Sequence, residues 1–194
     1  MPAAKPKRDE VRFTGFGGQG MAVLGYILGR AAAVYDGKNA TMTQSYGPEA
    51  RGGASSSQVI ICAGPVYYPY VIVPNVLVGM SQEGYTKHRE NLTDKGIMLI
   101  DEDLVSLVED ENLKRVYSIP ATRFAEELGR KIVANIVMLG FLSALTDFVS
   151  DDAIRKAIAD SVPRGTIDLN MKAYDKGRTY GQEMAKAKSS KAKA

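Results

Sequence analysis

The sequence has one cysteine, Cys62, one histidine, His88, and no tryptophan. A single thiol cannot close an internal disulfide, nor can it supply the set of thiolates that holds an iron–sulfur cluster. One histidine and one cysteine also fall short of a zinc site built from those ligands. Redox or metal chemistry involving this chain therefore needs a cofactor held elsewhere. No apolar run reaches the ~18 residues of a membrane span. The opening MPAAKPKRDE has charge but no apolar stretch of the kind a secretory signal carries. Neither a membrane nor export is expected, and the cytoplasm is the default location.

Charge of one sign is also scarce outside the C-terminus. The net charge is +3, yet AKAKSSKAKA at 185–194 holds four lysines and no acid, so the rest stands at 3 − 4 = −1. No aromatic residue interleaves with those lysines, so base stacking has no support and nucleic acid is not an expected partner. Residues 1–9 read as a flexible leader and 185–194 as a disordered Lys/Ala/Ser tail. Between them, 10–184 reads as one domain. Of the 194 residues 45% are hydrophobic and 24% charged, which suits a globular core.

Within that domain, Val11–Thr14 is a strand candidate that stops at a glycine loop. From Gln19 to Val34, Met21, Leu24, Ile27, Leu28 and Ala31 recur at helical spacing, and Gly37 follows as a stop. Asn39–Thr43 reads as the next strand. Strand, glycine loop, helix, strand opens an α/β fold with a parallel sheet. Residues 44–56 read as a long polar loop and Ser57–Cys62 as a strand. Val76–Val78 and Gly96–Ile100 are buried strands around a helix over Gln82–Asn91, and Val116–Ile119 is a last strand. The remainder reads as helices: one capped by Thr122, one over Ala134–Phe148 that is core or a subunit interface, one over Asp152–Ser161 capped by Ser150 or Asp151, and one over Asp168–Lys186. The fold expected is Rossmann-like and doubly wound, with a mostly parallel sheet and a helical C-terminal part.

Two loops carry the chemistry. Gly15-Phe16-Gly17-Gly18-Gln19-Gly20 fits G-x-G-x-x-G, a spacing that can bring backbone N–H groups against a phosphate at a helix N-terminus. A dinucleotide site also needs an acid after the second strand to hold ribose. Gln44, Ser45 and Tyr46 stand there instead, and Asp36 precedes that strand. Tight helix–strand packing, and contact with a phosphate-bearing ligand or a neighbouring subunit, remain the competing uses. In the second loop Tyr46, Glu49, Arg51, Gly52 and Gly53 offer a hydroxyl, a charge of each sign and close backbone approach. Arg51 has the planar fork that suits phosphate or carboxylate. In a doubly wound sheet both loops share the ligand-binding edge. No nucleophile–base pair is visible, so no catalytic residue is assigned. His88 reads as solvated on a polar helix face, Cys62 as a buried small hydrophobe, and Asp101-Glu102-Asp103 as a turn or cap rather than a metal site.

GFGGQG, SYGPEARGGASS, Tyr68-Pro69, NVLVGMSQE, SIPAT and ANIVMLG occur in that order between about Val11 and Tyr180. This set resembles the gamma subunit of 2-oxoacid:ferredoxin oxidoreductases, nearer the 2-oxoglutarate and the branched-chain or aromatic branches than the pyruvate branch. The resemblance implies an assembly that oxidatively decarboxylates a 2-oxoacid with coenzyme A to acyl-CoA and carbon dioxide. Thiamine diphosphate, magnesium and iron–sulfur clusters would sit on other subunits, with ferredoxin or an NAD-reducing subunit as acceptor. No thiamine-binding GDG…N pattern is present here. On that basis this chain is expected to line the approach to the active site and hold subunits together, its two loops helping to hold coenzyme A. A free-standing nucleotide-binding protein is the alternative. Replacing Arg51 by alanine is expected to raise the KM for coenzyme A in the intact complex, and an unchanged KM would remove Arg51 from that role.

Overall fold

The structure is a computed structural model and describes residues 7–47, 53–108 and 115–191. Its centre is β1 (Arg8–Phe16), with Val11–Gly15 buried. β2 (Asn39–Tyr46), β3 (Ala54–Cys62), β4 (Val76–Gly79), β5 (Ile97–Asp101) and β6 (Val116–Ile119) complete one sheet in the order β2-β3-β1-β4-β5-β6. The β1–β4, β4–β5 and β5–β6 pairs are parallel, whereas β3 is antiparallel to both β1 and β2. Alternation along the strands sorts side chains between two faces. Val11, Phe13, Val59, Ile61, Val76, Val78 and Leu99 enter the larger core. Leu77, Met98 and Ile100 enter a smaller one with Tyr85 and Val105.

The opening strand–loop–helix–strand unit is present, but its two strands are not neighbours. α1 (Met21–Arg30) carries the chain to the sheet edge, and β3 fills the gap between β1 and β2. β2 therefore runs parallel to β1 without pairing to it. The expected loop over 44–56 is correspondingly shorter. Gln44–Tyr46 pairs with Ser55–Ser57, and Gly47 N donates to the Ala54 carbonyl at 2.7 Å, making a long hairpin. Hydrogen bonding across the hairpin extends the strands through residues whose polarity alone reads as loop. α1 stops at Arg30, and the expected helix continues as a π-turn over Ala31–Tyr35, closed by Asp36 N on the Ala31 carbonyl.

α2 (Gln82–His88) starts on Ser81, whose hydroxyl accepts from Gly84 N. It ends before the expected Asn91. His88 is half-buried rather than solvated: its Nδ1 lies 3.1 Å from Arg12 Nη1. Burial first, then the nearby Arg12 charge, holds its pKa down at about 4, so the ring is neutral and accepts from the guanidinium. Arg12 also donates to the Val71 carbonyl at 2.9 Å, pinning the tyrosine-rich segment after β3. Cys62 is buried.

α3 (Ala121–Glu127) is preceded by Pro120, and Thr122 does not cap it. Thr122 donates both its N–H and its hydroxyl to the buried Asp101 carboxylate, at 3.0 and 2.6 Å. Burial pushes the Asp101 carboxyl up, and these donors oppose the shift. The acids after β5 thus act as a turn and cap. Ser150 caps α5 (Asp151–Ser161) by accepting from Ala153 N. α6 (Ile167–Lys191) continues into the stretch whose composition reads as a tail.

α4 (Ala134–Leu145) is buried at every residue from Ala134 to Leu142, so it is core within this chain. α6 crosses it at backbone contact. A Cβ added at Gly177 would overlap the Val137 carbonyl, and one at Gly140 would overlap the Tyr174 carbonyl. Neither clash can be relieved by a rotamer. Gly177→Ala should therefore lose about 1–3 kcal/mol by overpacking, more than the ~1 kcal/mol alanine gains inside a helix. At Gly29 the same change meets nothing nearer than 3.9 Å, so Gly29→Ala should be neutral or slightly stabilising. Denaturant midpoints of the two variants test this; equal midpoints would mean that the crossing is not tight.

Candidate functional site

The paired ends of β2 and β3 and the glycine loop lie at one end of β1, because Phe16 is registered with Ala54 and Tyr46 with Ser55. Gly17 N donates to the Gly53 carbonyl at 2.8 Å, joining the two loops directly. This is the carboxyl edge of the parallel strands, where α/β folds bind ligands. The structure thus brings Gly17, Gly18, Gln19, Gly20, Tyr46 and Gly53 together, with Gly15 beneath them. Glu49, Arg51 and Gly52 lie outside the described residues.

The Gln19 side chain is tied to the ends of two strands. Its Oε1 accepts from Phe16 N at 2.6 Å, and its Nε2 donates to the Met80 carbonyl at 2.9 Å. One carboxamide therefore ties the end of β1 to the end of β4. Gly15 makes room for it, since a Cβ there would stand 2.5 Å from Gln19 Oε1. Gly20 has φ 75°, and a Cβ on it would overlap the Asn135 carboxamide of α4. Gly18, at φ 93°, has open space around it.

Two cavities flank Gly18. The first, about 500 Å³, lies between the start of α1, the hairpin, the α3–α4 link and the α5–α6 turn. That volume falls in the range of small-molecule sites. Its walls include Met21, Val23, Ile132, Val162 and Pro163, with Arg130 as its charged residue. The second, about 300 Å³, is lined by Gly18, Gln19, Met80, Thr122, Lys131 and Ile132, among others. Ile132 is 64% exposed and borders both. Among the described residues no acid lines either cavity. Lys131 reaches Glu126 at 3.5 Å, whereas Arg130 has no carboxylate partner among the described residues.

α1 begins at the first cavity without a side-chain cap. Its first intrahelical bond runs from Leu24 N to the Gly20 carbonyl, leaving the N–H groups of Met21, Ala22 and Val23 available. A helix start of this kind carries partial positive charge and suits an anion. Arg130, Lys131 and the α5–α6 residues escaped sequence reasoning. They lie far along the chain, and only the Gly129-Arg130-Lys131 turn hinted at them. Among the described residues no three His, Cys, Asp or Glu side chains converge on a metal position. No helix among them is long and apolar enough to cross a membrane.

Comparison with known proteins gives a consistent result. The family model described as pyruvate ferredoxin/flavodoxin oxidoreductase matches residues 10–180. The chain is 51% identical over 179 residues to 2-oxoglutarate synthase subunit KorC of Methanocaldococcus jannaschii, covering 91% of this chain and 96% of that one. It superposes with TM-score 0.81 on the keto/oxoacid ferredoxin oxidoreductase gamma subunit from Geobacter sulfurreducens PCA, at 42% identity, covering 89% of this chain and 95% of that one. The same fold recurs, with TM-score 0.81 and 22% identity, in the 2-oxoglutarate:ferredoxin oxidoreductase of Magnetococcus marinus, over 91% of this chain and 31% of that one.

Gln19→Leu keeps the bulk but removes both hydrogen bonds, leaving Phe16 N and the Met80 carbonyl without this partner. A loss of about 1–3 kcal/mol in stability is expected, with faster amide exchange at Phe16. If instead stability and exchange stay unchanged and only ligand affinity falls, Gln19 faces the ligand and not the strands.

Proposed function

The chain belongs to the pyruvate ferredoxin/flavodoxin oxidoreductase family as a gamma subunit, and on that premise we propose that it serves an assembly forming succinyl-CoA and carbon dioxide from 2-oxoglutarate and coenzyme A. The observation that carries the reading is the cleft at the carboxyl edge, walled by the glycine loop and Arg130 and without an acid among its described lining residues. The 51% identity to a 2-oxoglutarate synthase subunit supports the choice of 2-oxoacid. Thiamine diphosphate would supply the carbanion chemistry of decarboxylation on a partner subunit. The described residues do not fit a magnesium ion or an iron–sulfur cluster, because the one thiol, Cys62, is buried in β3 and no three acids converge among them. Those groups belong to partner subunits, which pass electrons to ferredoxin.

This chain's part is to hold coenzyme A and to keep its anionic end in place. The free N–H groups at the start of α1 receive a phosphate, and Arg130 opposes it across the cleft. The positive potential is local, because the body of the chain is close to neutral. A nicotinamide dinucleotide fits less well. β2 ends in Gln44, Ser45 and Tyr46, with no acid there to hold ribose.

The test is to purify the tagged chain from its native cell without oxygen, identify what accompanies it, and assay coenzyme A-dependent viologen reduction over a panel of 2-oxoacids. Thiamine- and cluster-bearing partners, with 2-oxoglutarate the best substrate, are expected. In that complex Arg130→Ala should raise the KM for coenzyme A about tenfold with little change in kcat. A chain that purifies alone and binds NAD, or a complex preferring another 2-oxoacid, would overturn the reading.

A further inference from the structure

Between β3 and β4 the chain crosses the sheet face opposite α1. Arg8, Arg12 and Gln58 point to that face, because Val11, Phe13, Ser57 and Val59 beside them point to the other. Together these three hold residues 64–75 as a strap. Arg8 Nη2 donates to the Tyr68 and Tyr70 carbonyls at 3.3 and 3.4 Å. Arg12 Nη2 donates to the Val71 carbonyl, and Gln58 Oε1 accepts from Val71 N at 3.2 Å. Val71 and Pro74 turn inward, and Pro65, Pro69 and Pro74 restrict the backbone between.

The outer side of the strap is apolar. Tyr67, Tyr68, Tyr70, Ile72 and Val73 are all exposed, Tyr67 at 91%. Five of the thirteen large apolar side chains exposed among the described residues thus fall within seven positions, and 64–75 carries no charge. Tyr68 and Tyr70 meet edge to face with their centroids 5.6 Å apart. None of the three tyrosyl hydroxyls has a hydrogen-bond partner among the described residues. Interface centres are rich in aromatics and poor in charge, and a segment already held in shape loses little entropy on docking. Fixing this one takes a buried guanidinium, Arg12, whose Nε has no partner among the described residues. Burying a cation costs free energy, and the rigid outer surface is what that cost secures.

Permanent partners meet through apolar surfaces more than transient ones do. The ketoisovalerate oxidoreductase subunit VorA of Methanothermobacter thermautotrophicus is 33% identical to this chain over 187 residues, covering 94% of this chain and 39% of that one. A larger second portion therefore shares one polypeptide with this part there, and a covalent neighbour is a permanent one. We propose that the strap docks the separate subunit that corresponds to that second portion. The face it meets is apolar and offers carbonyl or carboxamide oxygens to the Tyr67, Tyr68 and Tyr70 hydroxyls. A transient electron carrier would be steered by charge, which the strap lacks. This rests on the reading that the chain works within an oxidoreductase assembly.

The experiment compares the native complex with the full chain alone. Amide exchange over 66–73 should slow at least about tenfold in the complex. Tyr67→Asp combined with Ile72→Asp should raise the dissociation constant for that subunit at least about thirtyfold. The variant chain should keep its thermal midpoint, because both side chains already face water. Where the variant does not fold, the exchange comparison in the wild type decides. Unchanged exchange in a complex that still forms would overturn the strap as the docking surface and leave the assembly reading standing. Protection already present in the chain alone, with a dimer that the double variant abolishes, would assign the strap to a second copy and overturn the proposed partner. A wild-type chain that purifies without any partner would sink both the proposal and the reading beneath it.

Discussion

The carboxamide of Gln19 is the joint on which the site depends. A strand that ends in glycines has no intrinsic reason to stop in one place, since glycine admits many backbone conformations. Gln19 removes that freedom by accepting from Phe16 N and donating to the Met80 carbonyl. It registers the last residue of β1 against the end of β4 and aims α1 at the sheet edge. The loop is then locked from outside by Gly53 on one side and Asn135 on the other. Its glycines are therefore divided in purpose. Gly15 and Gly20 make room for packing, and Gly18 faces open space.

Placing α1 this way creates a second requirement. The face of the sheet carrying Val11 and Phe13 must be covered, and α4 does part of this while surrounded on all sides. A helix without an exposed face needs another helix outside it. α6 fills that role at backbone distance through Gly140 and Gly177. The close crossing brings the first turns of α6 near the glycine loop, which is how Asn170 reaches a cavity that begins at Gly17. Core packing and site construction are one arrangement here.

The electrostatics divide along the same lines. Acids and bases elsewhere form exposed ion pairs, such as Arg123 with Asp103 and Arg155 with Asp175, and such pairs contribute little individually. Among the described residues, no acid lines the cavities at the carboxyl edge, and Arg130 has no carboxylate partner beside an uncapped helix start. Water-exposed cations cost little to keep, so even a weak selective gain from an anionic ligand accounts for leaving one free. Elsewhere on β1, Arg12 donates to a neutral His88 and to a backbone carbonyl, with its Nε left without a partner among the described residues.

Periodicity and composition by themselves determined much of this protein. Alternating apolar residues marked the central strands, 3.6-residue spacing marked α1, and the motif order carried the family resemblance, because each is a local property of the chain. They did not show that β3 lies between β1 and β2, since pairing joins residues far apart and polar serines at 54–57 look like loop until a partner strand satisfies their backbone. They did not show that Gln19 spans the ends of β1 and β4, because its contact with Met80 is tertiary. They left His88 in solvent because nothing local reveals that Arg12 sits beneath it. They were silent about Arg130, Ser161 and Asn170, which become neighbours of the glycine loop only when α4, α5 and α6 pack. Local chemistry thus identified the loops, whereas the cavity they open into is a product of long-range packing.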